Sequence, residues 1–195
     1  EMADKALAND PDNTSILNDR GMAYWAKAAY AQAAQDLGKA IADGMRNAEI
    51  FLIHGAALSA IGRYDEAEIA LSTGLAAYPH DEHLLNNRCW VRALLGRLDS
   101  ALGDCNEALK SIPQYANTYD SRALVYLKKG MLSNAAADYD AALHLAPKMA
   151  GSLYGRSLVK RRQGDLVGAD RDRDAAIGIN PDLPRQFAEE YGVKL

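Results

Sequence analysis

The chain has 195 residues, 49% apolar and 25% charged, with 22 Lys and Arg against 26 Asp and Glu. This balance belongs to a chain that folds in water. It excludes a disordered polymer and lacks the basic excess of a general nucleic-acid binder. No apolar run approaches the roughly 20 residues that cross a bilayer, no secretory leader is visible, and two cysteines are too few for a disulfide-built scaffold.

Alanine accounts for 36 residues and phenylalanine for 2. Alanine is the best helix former and the smallest core residue, so the core must come from helices lying close together. No alternating Val/Ile/Thr runs bounded by hairpin turns occur, and the class is all-α. The chain is also periodic. Pro79, Pro113, Pro147 and Pro181 stand 34 residues apart, and Pro11 lies two such steps before Pro79. Gly62, Gly96, Gly130 and Gly164 keep the same step. So do Ala33, Ala67, Ala101, Ala135 and Ala169, and a second column of Ala6, Ala40, Gly74, Ala108, Ala142 and Ala176. Such internal periodicity is the mark of a repeat architecture.

In chain order, residues 1–13 read as the back half of one unit, a helix over Met2–Asn9 followed by Pro11. Full units follow at 14–47, 48–81, 82–115, 116–149 and 150–183, and residues 184–195 read as a capping helix stopped by Gly192. Each unit is helix, short turn, helix, short turn. In the fourth, Ala116–Lys128 is a helix that Gly130 terminates, and a second helix runs to Leu145 before Pro147 ends it. Asp65, Asp99 and Ser133 are the expected N-caps of second helices, with Glu68 completing a capping box after Asp65. In the first unit Ala28 replaces the turn glycine and Met45 the proline. The missing front half of the first unit predicts that more chain precedes Glu1, with a native N-terminal cap helix as the other reading.

The fourth unit carries Tyr119, Ala123, Tyr126, Gly130, Ala135, Tyr139, Ala142 and Pro147. With these positions, a 34-residue helix–turn–helix unit resembles the tetratricopeptide repeat (TPR) of bacterial proteins. Cys105 and Arg173 depart from the pattern where Tyr139 stands. The resemblance implies a right-handed TPR superhelix of about five and a half repeats plus a C-terminal capping helix, with the first helix of each repeat lining a concave face. It also implies a protein-interaction function. The closing residues Phe187 to Val193 resemble the C-terminus of some bacterial TPR proteins. A C-terminal accessory region of a larger, for example transglutaminase-like, protein is therefore an alternative, as is a self-assembly module stacking through the N-terminal half-repeat.

A charge ladder runs through the units. Arg20, His54, Arg88, Arg122 and Arg156 form one column; Asp36, Ala70, Asp104, Asp138 and Asp172 form another, sixteen residues later. The two change together, because the second unit has neither member. Pairs Arg20–Asp36, Arg88–Asp104, Arg122–Asp138 and Arg156–Asp172 are expected inside their units, as internal glue rather than as ligand-binding arginines.

Next to the core stripe Leu17, Gly21, Tyr24 lies a second stripe expected to face the groove. It comprises Met22 and Trp25, then Asn86, Asn87 and Trp90, then Leu124 and Leu127, then Tyr154, Leu158, Arg161 and Arg162. It would hold a peptide or partner segment, the alternative being that both tryptophans fill gaps between helices. Residues 116–195 hold 12 basic against 10 acidic residues, where residues 1–115 hold 10 against 16, so an acidic segment would suit the C-terminal end. Some TPR domains grip a peptide carboxylate with a Lys/Asn/Lys/Arg set, which Asn18, Met22 and Ile53 do not reproduce. No phosphate loop or zinc-helix motif appears. Within His80-Asp81-Glu82-His83, Asp81 reads as an N-cap. Cys89 and Cys105 read as buried thiols. The expectation is therefore no enzyme, metal, cofactor, nucleic acid or membrane insertion, and a cytoplasmic or periplasmic setting.

Overall fold

The structure, a computed structural model, describes residues 7, 8 and 10–193. The described residues form helices α1 (Thr14–Ala26), α2 (Tyr30–Ala42), α3 (Ala48–Ala60), α4 (Tyr64–Ala77), α5 (Glu82–Leu94), α6 (Leu98–Ser111), α7 (Ala116–Lys128), α8 (Leu132–Leu145), α9 (Ala150–Gln163), α10 (Leu166–Ile179) and α11 (Leu183–Arg185). A π-helical turn, Gln186–Glu190, continues α11. No strand occurs among the described residues. The chain divides into two compact units, 1–91 and 92–195, with the boundary inside α5. The expected helix Met2–Asn9 lies outside the described residues apart from Leu7 and Ala8.

In the first unit α1 packs on α2, α2 on α3 and α3 on α4; in the second, α6 through α10 pack in the same sequential way. The small columns explain why. Ala33, Ala40 and Ala67 in the first unit, and Ala101, Ala135, Ala142 and Ala176 in the second, are at 0–1% exposure. Small side chains seven apart share one helical face, so a neighbouring helix approaches closely there.

The helix turns are equally regular. Gly62, Gly96, Gly130 and Gly164 have φ of +77°, +74°, +74° and +89°, and Ala28 adopts +55° in the equivalent place. A left-handed residue costs glycine little and alanine about 1–2 kcal/mol, so the first turn carries strain that the others avoid. Each turn closes with an amide bonded five residues back, as Arg63 N to Leu58 O at 2.9 Å and Met131 N to Tyr126 O at 2.9 Å.

This closure moves the caps. The second helices begin at Tyr64, Leu98 and Leu132, so Arg63, Arg97 and Met131 occupy the cap position without a side-chain bond. Asp65, Asp99 and Ser133, expected as caps, stand inside the first turn instead, where the helix dipole still favours the acids. Glu66 accepts from Arg63 Nε at 2.6 Å within this turn. The side-chain caps that form belong mostly to first helices. Asn13 accepts from Ile16 N at 3.2 Å, Asn47 from Ile50 N at 2.7 Å and Asp81 from Leu84 N at 2.9 Å. These three caps are themselves 34 residues apart. Asp165 caps α10 by accepting from Gly168 N at 2.8 Å. Cys89 and Cys105 are fully buried, but neither is the free thiol expected, for both are disulfide-bonded. Small size alone had suggested packing thiols.

Candidate functional site

The arginine column makes the most ordered polar contacts. Arg20 donates through Nε to Asp36 Oδ2 at 2.6 Å and through Nη2 to Asp36 Oδ1 at 2.9 Å. Arg122 and Asp138 repeat the fork at 2.6 and 2.8 Å, and Arg156 and Asp172 at 2.6 and 2.8 Å. A planar guanidinium meeting a carboxylate through two parallel bonds is the strong form of this interaction. Arg88 and Asp104 fall on opposite sides of the unit boundary. Within its own unit Arg88 donates to Ser72 Oγ at 3.2 Å, and Asp104 accepts from Arg92 Nη1 at 2.7 Å. Their mutual pairing stays a proposal drawn from the period.

The arginines also reach backward, which sequence reasoning missed. Arg88 bonds Ser72, Arg122 bonds Asn106 at 2.8 Å, and Arg156 bonds Asp140 at 2.7 Å, each sixteen residues earlier. Each of these arginines therefore ties its own helix to the preceding second helix, and Arg122 and Arg156 also hold the following one. The signal was present: Ser72, Asn106, Asp140 and Asp174 form a polar column of the same period. The column is broken at Gly38, and the repeat that Gly38 would serve is the one carrying His54 and Ala70. Burial pushes Asp172 up, but hydrogen bonds from Arg156 and Lys160 outweigh it and hold the carboxyl below the ordinary range.

The expected groove stripe divides by burial. In the first unit Met22, Trp25, Asn87 and Trp90 are half-buried and Asn86 is buried. Trp25 leans on Tyr30 with ring centroids 5.2 Å apart, and Asn87 donates to His83 O at 3.0 Å. In the second unit Leu124, Leu127, Tyr154 and Leu158 are at most 4% exposed. Tyr154 is covered by Phe187 of the C-terminal turn, with centroids 4.9 Å apart. These four side chains lie in the core rather than on an open surface. Arg161 and Arg162 are exposed, and Arg161 pairs with Asp170 at 2.6 Å.

A further polar site lies on α7. Asp120 accepts from the buried Ser152 hydroxyl at 2.5 Å, and burial pushes its carboxyl up to about 6 from 3.8, the Ser152 bond opposing. The sign is that of a raised acid. The folded state prefers the proton, so this contribution to stability is fully present below about pH 4. It is lost as pH rises through about 6. Asp120→Asn should therefore raise stability by about 1–2 kcal/mol at pH 7.5, discounted for partial exposure, and change little at pH 4.5. Urea unfolding at the two pH values checks this, and an equal effect at both would refute it.

Among the described residues no group of three or more His, Cys, Asp or Glu side chains comes together as a metal would require. No helix among them is long and apolar enough to cross a membrane.

The tetratricopeptide repeat family model matches residues 54–116 and 121–184, well over half of the chain. No curated protein matches. Among solved structures, MamA residues 41-end from Desulfovibrio magneticus superposes with a TM-score of 0.71 at 16% identity, covering 90% of this chain and 97% of that one. YrrB, described as a TPR protein with an unusual peptide-binding site, gives 0.64 at 19% identity over 93% and 94%. A repeat protein from Parabacteroides merdae gives 0.66 at 21% identity over 92% and 73%. At these identities the likeness is one of fold.

Proposed function

Because the chain belongs to the tetratricopeptide repeat family, we propose that it is a protein-interaction scaffold whose first-helix stripes hold an extended segment of a partner protein. The observation that carries this reading is the half-buried state of Met22 and Trp25 on α1 and of Asn87 and Trp90 on α5. Large aromatic side chains left partly in water beside polar amides are the usual anchors of an interface. In the second unit the open part of the stripe is basic, with Arg161 and Arg162 exposed at the end of α9, and an acidic segment suits it. Leu124, Leu127, Tyr154 and Leu158 are core residues that support α7 and α9 and make no contact with the partner in this reading. YrrB's description as a peptide-binding TPR protein supports the class of ligand. The reading assigns no catalytic step, cofactor or nucleic acid to this chain.

The test is quantitative capture of partners by the immobilised chain, wild type against Trp25→Ala/Trp90→Ala. Two anchor truncations should weaken binding at least about tenfold, since interface anchors cost about 2 kcal/mol each. Full retention of every partner by the double variant would remove the stripe as the site.

A further inference from the structure

The second repeat is where the arginine clamp is missing. His54 stands in the arginine column, Gly38 sixteen residues before it and Ala70 sixteen after it, so neither partner position carries a polar side chain. A methyl group placed on Gly38 would lie 3.1 Å from His54 Nε2, so the imidazole rests against the backbone that elsewhere carries a polar partner. A cavity of about 610 Å³ opens at this place, between α2 and α4 with α3 as its floor. Its walls are Phe51, Leu58, Ala70 and Ile69, the last 67% exposed at the rim. All of its lining belongs to the first unit.

We propose that this cavity is a binding site for a compact, uncharged ring molecule with one hydrogen-bonding group, of the phenol or indole class. The volume lies within the roughly 300–1,000 Å³ of small-molecule sites, and such sites are mostly apolar with a few placed polar groups. The charges at its edge cancel. Arg63 donates to Glu66 through Nε at 2.6 Å and through Nη2 at 2.5 Å. Burial lowers the His54 imidazole from its ordinary value and Arg63 lowers it further, against a smaller opposing effect of Glu66, so the uncharged ring is favoured. A charged ligand would find a counter-charge there only by breaking the Arg63–Glu66 pair. An uncharged ring covers Phe51, Leu58 and Ile69 and reaches polar groups with its single head. Those groups are the imidazole, the Gln35 amide, and the Thr73 oxygen, whose own proton goes to Ile69 O at 2.9 Å.

The probes are 4-methylphenol and indole, with benzoate and benzylamine as charged controls, titrated into the full chain and followed by NMR of the Ile and Leu methyls and the His54 ring. Saturable shifts confined to the cavity residues are expected, with dissociation constants of about 0.1–1 mM. The charged controls should bind at least about tenfold more weakly. His54→Arg/Ala70→Asp rebuilds the clamp and should weaken binding at least about tenfold while melting no lower than wild type. Should that variant fold poorly, Ala70→Leu fills the cavity by packing alone and should give the same loss. No saturable shift, shifts centred elsewhere, or equal binding by a folded filled variant would each overturn the site.

Discussion

Asp138→Ala should lower stability by about 3–5 kcal/mol, whereas Asp140→Ala, two residues away on the same helix, should cost no more than about 1 kcal/mol. Both carboxylates pair with arginine, so the contrast tests burial rather than charge. The Asp138 side chain is 8% exposed and accepts two bonds from Arg122, while Asp140 is 63% exposed and accepts one from Arg156. Without Asp138, the guanidinium stays between the Tyr119 and Tyr126 rings, 5.6 and 5.8 Å from their centroids, and keeps its bond to the neutral Asn106 amide. A half-buried cation that has lost its counter-ion is the costly species, more than the lost bonds themselves. Arg122→Met/Asp138→Leu should accordingly recover much of what Asp138→Ala loses. Urea unfolding of all three variants decides it, and equal midpoints for Asp138→Ala and Asp140→Ala would defeat the argument.

Gly155→Ala should cost about 3 kcal/mol. A methyl group at Gly155 would lie 2.2 Å from Cζ and 2.3 Å from the hydroxyl oxygen of Tyr139. That ring is 1% exposed and its hydroxyl is buried without a hydrogen-bond partner, so any retreat must displace packed neighbours. A close-packed interior answers even one added methylene with displaced rotamers. Tyr139→Leu in the same chain should restore most of the loss by removing the ring that the methyl strikes. Gly103 and Gly178 are the controls, since a methyl at either meets nothing within 4 Å. There alanine should stabilise by up to about 1 kcal/mol, because glycine inside a helix is otherwise unfavourable. Thermal unfolding in which Gly155→Ala behaves like these controls would contradict the packing account.

The features legible in the sequence are those imposed by the period. A small residue every 34 positions marks where helices must touch, and glycine at the same step marks a left-handed turn; both need only one residue's own constraints. The caps were less legible because a turn's exact closure chooses them. Asp65 and Asp99 are good caps by type, yet the amide of Arg63 bonding Leu58 starts the helix two residues earlier. The backward bonds of the arginines are less legible because a forward aspartate already accounts for each guanidinium, although the polar column Ser72, Asn106, Asp140 keeps the same period. The candidate stripe was half legible. Helical spacing places Trp25 and Tyr154 alike, but burial depends on what lies above. Phe187, far along the chain, covers Tyr154, and no local pattern announces that.

The central claim is that a partner segment lies along the first-helix stripe and not on the second helices. The most direct measurement is site-specific photo-crosslinking, with a benzophenone side chain placed in turn at Met22, at Asn87, at Thr73 and at Asp174. The first two lie on first helices and the last two on second helices. The account predicts that partner is trapped from Met22 and Asn87 and not from Thr73 or Asp174. Trapping from Thr73 and Asp174 with none from Met22 and Asn87 would contradict it.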